Sequence, residues 1–229
     1  MRAALADPEI RSSLWQAINR PAVGALGNIQ PRDPWLQAWD TASADTADYL
    51  NRNMLNTPIH DNRHSLFNAS LAAVKVGCGY EAKSINYLAE RIDCTIHGFD
   101  SFEGLPEAWF GEVGKGSLTS SGVLPEVRDN VSLHTGWFDK SVPAFAAEYP
   151  APIAFLHVDC DLYSSTRTIF EGLREQIVPG TVIQFDEYFN YPGWREHEFK
   201  AFQEFVAERQ LGYEYIGYTR EFSVAVQLK

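Results

Sequence analysis

Two stretches constrain the fold more than any others: Phe155-Leu156-His157-Val158-Asp159-Cys160-Asp161-Leu162-Tyr163 and, downstream, Val182-Ile183-Gln184-Phe185-Asp186-Glu187-Tyr188. Each opens as a short apolar, β-branched or aromatic run and turns to carboxylates where the run ends. That is the pattern of a buried parallel strand reaching the rim of a sheet. In open α/β sheets ligands bind outside the carboxyl ends of the strands. Two neighbouring strands ending in Asp-x-Asp and Asp-Glu therefore bring four acids to one crevice. Crowded carboxylates repel, and a hard divalent cation with oxygen ligands converts that repulsion into coordination. The plainer alternative is rim acids that cap the helices following them.

The rest of the chain supplies such a sheet. Val74 to Gly79 reads as a strand running into glycines, and Lys83 to Arg91 as a helix with Ile85, Leu88 and Ala89 on one face. A second strand, Cys94 to Phe99, ends at Asp100. Strand, glycine turn, helix, strand and acid make one half of a nucleotide-type βαβ unit. Further strands are expected at Val131–His134, Ile153–Val158 and Thr181–Phe185, with helices at Val142–Tyr149, Ser164–Gln176 and Trp194–Gln210. Tyr213–Tyr218 and Phe222–Leu228 alternate apolar and polar residues around Thr219-Arg220-Glu221, which predicts an antiparallel hairpin. The expected fold is α/β and Rossmann-like, a mostly parallel sheet finished by a C-terminal antiparallel hairpin.

Upstream, helical spacing recurs over 8–20, 35–55 and 61–73 with no strand signal. Residues 1–70 are thus expected to form a helical cover, acting as a lid or a homodimer contact, ahead of a main domain over 71–229. Segment 101–128, with Gly104, Gly111, Gly114, Gly116 and Gly122, is a candidate lid.

Composition excludes some partners. The net charge of -11 argues against nucleic acid and against an anionic membrane surface, both of which need a basic footprint. Cys78, Cys94 and Cys160 all sit in apolar or strand-like segments and read as reduced thiols. With no apolar leader after Met1 and no apolar run long enough to span a bilayer, a cytoplasmic protein is expected.

Taken together, Gly98-Phe99-Asp100-Ser101-Phe102-Glu103-Gly104-Leu105-Pro106, Gly136-Trp137-Phe138-Asp139, Asp159-Cys160-Asp161-Leu162-Tyr163-Ser164-Ser165-Thr166 and Phe185-Asp186-Glu187-Tyr188 resemble the macrocin O-methyltransferase family. Those are class I S-adenosylmethionine enzymes, and the likeness runs over roughly residues 74 to 228. It implies a magnesium-type ion held by Asp159, Asp186 and Glu187, with Asp161 as general base; apart from the resemblance, His197, just past the metal pair, is read as the base should Asp161 be structural. The resemblance implies a cofactor site in which Gly77 and Gly79 admit the methionine part, Asp100 accepts the ribose hydroxyls, and Gly136, Trp137 and Phe138 flank the adenine, with Ser84 and Ser101 nearby. The acceptor would be a small hydroxylated molecule such as a sugar or glycosylated natural product.

The chain departs from the class pattern where Lys75 or Val76 replaces an acid and Glu81 and Ala82 replace a glycine. That departure leaves a second reading, an inactive or repurposed homologue that acts as a binding protein. His157 and His97 read as core histidines. Tyr188, Asn190, Tyr191, Trp194 and Arg195 read either as acceptor-pocket lining or as core.

Overall fold

The computed structural model describes residues 34–54, 56–57, 59–60, 73–76, 82–219 and 221–229. The helices expected over 8–20 and 61–73 lie outside the described residues, apart from Ala73, which opens a strand. Gly77, Cys78, Gly79 and Glu81 also lie outside them.

In chain order the elements are α1 (Pro34–Asn53), β1 (Ile59–His60), β2 (Ala73–Val76), α2 (Lys83–Ala89), β3 (Ile96–Asp100), β4 (Val131–Thr135), α3 (Phe138–Glu148), β5 (Phe155–Val158), α4 (Tyr163–Gly172) and β6 (Val182–Phe185). A single 3-10 turn (Trp194–Glu196), α5 (Glu198–Arg209), β7 (Tyr213–Thr219) and β8 (Val224–Leu228) complete the chain. One sheet has the order β1-β7-β8-β6-β5-β2-β3-β4. All neighbours are parallel except β8, which runs antiparallel to both β6 and β7.

Register places the acids. Val158 pairs with Val76 on one side and Phe185 on the other, and Val76 pairs with Phe99, so β2, β3, β5 and β6 finish at one level. The residue after each of the last three exits onto the same rim or closes the strand there: Asp100, Asp159 and Asp186.

Every residue of β5 is buried, as expected of a central strand covered on both faces. Leu156, Val158, Ile183 and Phe185 join the larger core with α3, α4 and α5. Phe155 and Ile96 turn to the other face, against Ile85 and Leu88 of α2. The stripe Ala201, Phe202, Phe205 and Val206 explains why α5 forms, since these positions share one side of a 3.6-residue helix. Ala42, Ala47, Leu50 and Met54 of α1 bury into that same larger core. Arg195 grips Asp45 through two bonds of 2.7 and 2.8 Å, and phenols of Tyr49, Tyr188, Tyr213 and Tyr215 share hydrogen bonds where α1 meets the hairpin.

Several expectations need correction. The opening region does carry a strand: β1 pairs in parallel with β7, so the hairpin is not the sheet edge. Two residues are too few for a periodicity signal. Helix α3 begins at Phe138 rather than Val142, because the Lys140 and Ser141 N–H groups already bond to Trp137 O, and Pro143 therefore sits inside the helix. The segment expected as one helix from Trp194 breaks at His197, whose φ and ψ are -113° and -127°.

His97, read as a core histidine, is half-buried, and its Nδ1 lies 3.0 Å from His134 Nε2. Both rings pack against Phe145, and burial lowers both pKa values. Cys94 and Cys160 are free thiols, and burial pushes the Cys160 thiol well up. No helix among the described residues is long and apolar enough to cross a membrane.

Candidate active site

The β5 exit does not continue as a strand. After Val158 the chain passes through partly exposed Asp159 and buried Cys160 to Asp161, which has a positive φ of 64°. Leu162 N–H donates to Cys160 O at 2.6 Å across it, closing a three-residue γ-type turn. Asp159 and Asp161 were expected to share a side by strand alternation. They do face one cleft, but a turn accomplishes it. Next door, Asp186 N–H still bonds to Val158 O at 2.9 Å, so the β6 acids begin where the β5 acids do.

Asp186 is 2% exposed. Its Oδ1 accepts from Ser223 Oγ at 3.2 Å and lies 3.4 Å from Nε2 of the fully buried His157. Ligand atoms of His157, Asp159 and Asp186 all fall within 4.8 Å of one another. Glu187 is outside that grouping, but its Oε2 is buried with no hydrogen-bond partner. Burial and then the charges of Asp186, Asp161 and Asp159 push the Glu187 carboxyl well above the usual range. An oxygen-rich donor set with an orphaned buried carboxylate oxygen suits a hard divalent cation.

Beside the acids a cleft encloses about 120 Å³. It is lined by Asp159, Asp161 and Ser165, which follow β5, and by Asp100, Ser101, Gly136, Trp137 and Phe138, which close or follow β3 and β4. Asp100 Oδ1 accepts Phe102 N–H at 2.8 Å, and Ser101 Oγ accepts Glu103 N–H at 3.1 Å. These two side-chain turns bend the chain out of β3 into segment 101–128. That segment has no helix or strand, yet it is tied internally: Leu105 N–H to Ser117 O and Gly116 N–H to Leu105 O are both 2.9 Å. Through Gly104, Leu105, Pro106 and Leu118 it forms the rest of the cleft wall.

Thus the structure brings Asp100, Ser101, Gly136, Trp137, Phe138, Asp159 and Asp161 to one cleft and sets Asp186 against Asp159. Ser84, in the first turn of α2, is not on its described wall, nor are Glu187 and His197. His197 lies half-buried beside Trp109 and Tyr191, with burial lowering its pKa. Tyr188, Tyr191 and Trp194, read as lining or core, are core, each no more than 1% exposed. Arg195 belongs to the ion pair with α1.

Two contributors have no counterpart in the sequence reading. Ser223 orients Asp186 from the hairpin. Glu198, fully buried, accepts from the backbone N–H groups of Cys160 and Asp161 through Oε1 and of Glu187 through Oε2. Burial and then Asp161 push its carboxyl well up, while the Cys160 N–H acts the other way. A glutamate at a helix start reads locally as a charge favourable to the helix dipole, and nothing in its neighbours marks it as reaching back to two strands.

A family described as a methyltransferase domain matches residues 74–188, which span β2 through the β6 acids and so cover every rim residue just described except Glu198 and Ser223. The chain belongs to this methyltransferase-domain family. The sheet of the methyltransferase domain is also that of solved enzymes. CalS11, a calicheamicin methyltransferase, superposes with a TM-score of 0.56 at 18% identity, over 96% of this chain and 93% of that one. The O-methyltransferase NovP gives 0.52 at 22% identity, over 70% of this chain and 72% of that one. The apo structure of CalS11, described as a TDP-rhamnose 3'-O-methyltransferase, gives 0.50 at 20%, over 96% and 95%. At these identities the likeness fixes the class I Rossmann-like fold of the methyltransferase domain. No curated protein matches the sequence.

Proposed function

We propose that the protein is a cation-assisted, S-adenosylmethionine-dependent O-methyltransferase of the macrocin type, acting on a hydroxyl of a small sugar-like or glycosylated molecule. The observation that carries this is a juxtaposition. Asp159 and Asp161 line the same cleft as Asp100, Gly136, Trp137 and Phe138, and a carboxylate oxygen of Asp186 lies within 4.8 Å of one of Asp159. The sugar-modifying character of CalS11 and the O-methyl specificity in NovP's description agree with that reading.

Trp137, 39% exposed at the lip of the cleft, offers a ring for stacking an adenine. Asp100, with Oδ1 fixed by the Phe102 N–H, would accept the ribose hydroxyls of the cofactor. Asp159, Asp186 and Glu187 would hold the divalent cation, and His157 would orient the Asp186 carboxylate. When bound, the sulfonium cofactor supplies the methyl group and the cation lowers the pKa of a coordinated hydroxyl. Asp161, raised into the cleft by its turn, takes the hydroxyl proton. In-line methyl transfer depends chiefly on positioning, which a rim built from three fixed strand exits provides. Helix α1 would be part of the helical cover read for residues 1–70, and the packing of its Trp39 against Phe110 and Phe222 supports the lid form of that reading.

The repurposed-homologue alternative rests on Lys75 or Val76 in place of an acid and on Glu81 and Ala82 in place of a glycine, and the backbone at Ala82 bears on the last of these. Ala82 has φ 47° and ψ 25°, the left-handed conformation a glycine there would adopt, so the chain still turns into α2 as the fold requires.

The test is calorimetric titration with S-adenosylhomocysteine, with and without magnesium, on the wild type and on Trp137→Ala and Asp186→Asn. We expect micromolar wild-type binding, a loss of about three- to tenfold in Trp137→Ala, and loss of the magnesium response in Asp186→Asn. Absence of wild-type binding under every condition would sink the methyltransferase reading.

A further inference from the structure

The acids of the site belong to two separate strand exits, and one side chain holds the backbone of both. Glu198 has no exposed surface. Its Oε1 accepts Cys160 N–H and Asp161 N–H, each at 3.1 Å, and its Oε2 accepts Glu187 N–H at 3.3 Å. Helix α5 starts at Glu198 after an N-cap, His197, that makes no side-chain bond to it, and the Glu198 side chain itself bonds to the strand exits. Asp161 sits at a left-handed φ that a non-glycine residue holds only when its surroundings insist, and its own N–H is one of those Glu198 takes up. A buried carboxyl group is costly unless its oxygens are hydrogen-bonded, and here backbone N–H groups of the two strand exits take up both.

We propose that Glu198 is the positioning residue of the acid set. By holding Cys160 and Asp161 on one side and Glu187 on the other, it fixes the separation of the β5 acids from the β6 acids, and through that the site's affinity for a divalent cation. The inference rests on the reading of those acids as the methyl-transfer centre. Groups that orient metal ligands without touching the metal typically cost 10- to 100-fold in affinity when changed.

Glu198→Gln is the decisive variant. It keeps the size of the side chain but turns an amide N–H2 toward one of the two backbones, so only one exit stays held. Two measurements are made on wild type, Glu198→Gln and Asp186→Asn: Mn²⁺ binding by electron paramagnetic resonance, and amide hydrogen exchange at Asp161 and Glu187. S-Adenosylhomocysteine affinity serves as the control for an intact cleft.

The expected result is wild-type Mn²⁺ binding lost in Asp186→Asn and weakened about 10- to 100-fold in Glu198→Gln. Exchange should be faster at Asp161, Glu187 or both, with cofactor-product affinity kept. A Glu198→Gln protein with wild-type Mn²⁺ affinity overturns the proposal. If wild type itself binds no Mn²⁺, the cation reading fails on its own account and exchange decides. Faster exchange in Glu198→Gln then upholds the positioning role, and unchanged exchange overturns it. Should Glu198→Gln not fold, Glu198→Asp takes its place. Its carboxylate is too short to reach both exits, so one amide should exchange faster, and unchanged exchange at both overturns the proposal.

Discussion

Gly104→Ala should open the segment that walls the cleft. Gly104 has φ +85°, and a Cβ added there would lie 2.5 Å from Ser117 O and 2.7 Å from Gly116 O. Both obstacles are backbone, so no side-chain rotation relieves them. The same stretch is closed by Leu105 N–H to Ser117 O and Gly116 N–H to Leu105 O, and these bonds must lengthen or break for the methyl to fit. Losing two backbone hydrogen bonds costs about 1 kcal/mol each, and a left-handed non-glycine residue costs about 1–2 kcal/mol more. The segment should therefore become easier to open by about 3–4 kcal/mol, roughly two to three decades in exchange rate.

Gly122→Ala is the matched control. Gly122 has φ +78° with nothing within 4 Å of the added Cβ, so it carries the conformational cost without the collision. Amide hydrogen exchange at Leu105 and Gly116 is the assay, with S-adenosylhomocysteine affinity as the functional readout because Gly104 and Leu105 line the cleft. Gly104→Ala exchanging no faster at these two amides than Gly122→Ala would refute the steric argument.

Ala82→Gly makes a complementary case, since it should relieve about 1–2 kcal/mol of left-handed strain. It also removes a fully buried methyl worth about 0.8 kcal/mol and adds unfolded-state freedom worth about 0.4–1 kcal/mol. Urea unfolding should place it within about 1 kcal/mol of wild type, and a loss above about 2 kcal/mol would contradict that balance. For the His97–His134 pair, burial lowers both folded pKa values below the ordinary 6.5, with His134 adding to the effect on His97 and Glu148 opposing it. The unfolded chain then takes up protons first as the pH falls, so the pair's contribution is complete above about pH 6.5 and is lost as the pH drops through the folded values. Denaturant midpoints from pH 8 to pH 5 should fall more steeply in wild type than in His134→Gln, and parallel profiles would dismiss the pair as a source of acid sensitivity.

Much of the fold was legible because its signals are local. Short apolar runs ending in an acid marked β3, β5 and β6, helical spacing of Phe199, Phe202, Phe205 and Val206 marked α5, and alternation from Tyr213 to Leu228 marked the hairpin. Parallel register then did the rest, carrying Asp100, Asp159 and Asp186 to one rim without any pairwise signal among them. What escaped was set by tertiary contact. Glu198 and Ser223 gain their roles from strands remote in sequence, and β1 is recognisable only from its pairing with Tyr218 and Thr219. Tyr188, Tyr191 and Trp194 could be told from pocket lining only by seeing α1, the hairpin and α5 close over them, because aromatic residues after a strand exit suit either place.

The turn at Asp161 decides which replacements there can be interpreted. At φ 64°, alanine would bring backbone strain along with the loss of the carboxylate, so a dead alanine variant would confound folding with chemistry. Asparagine keeps the size of the side chain and so leaves the strain close to that of aspartate while removing the charge, and glycine removes the side chain without the strain. Comparing those two separates the proton-accepting group from the bend that delivers it. The same preference narrows what drift can put at this position: a β-branched residue would be rejected by the backbone before any question of catalysis arose.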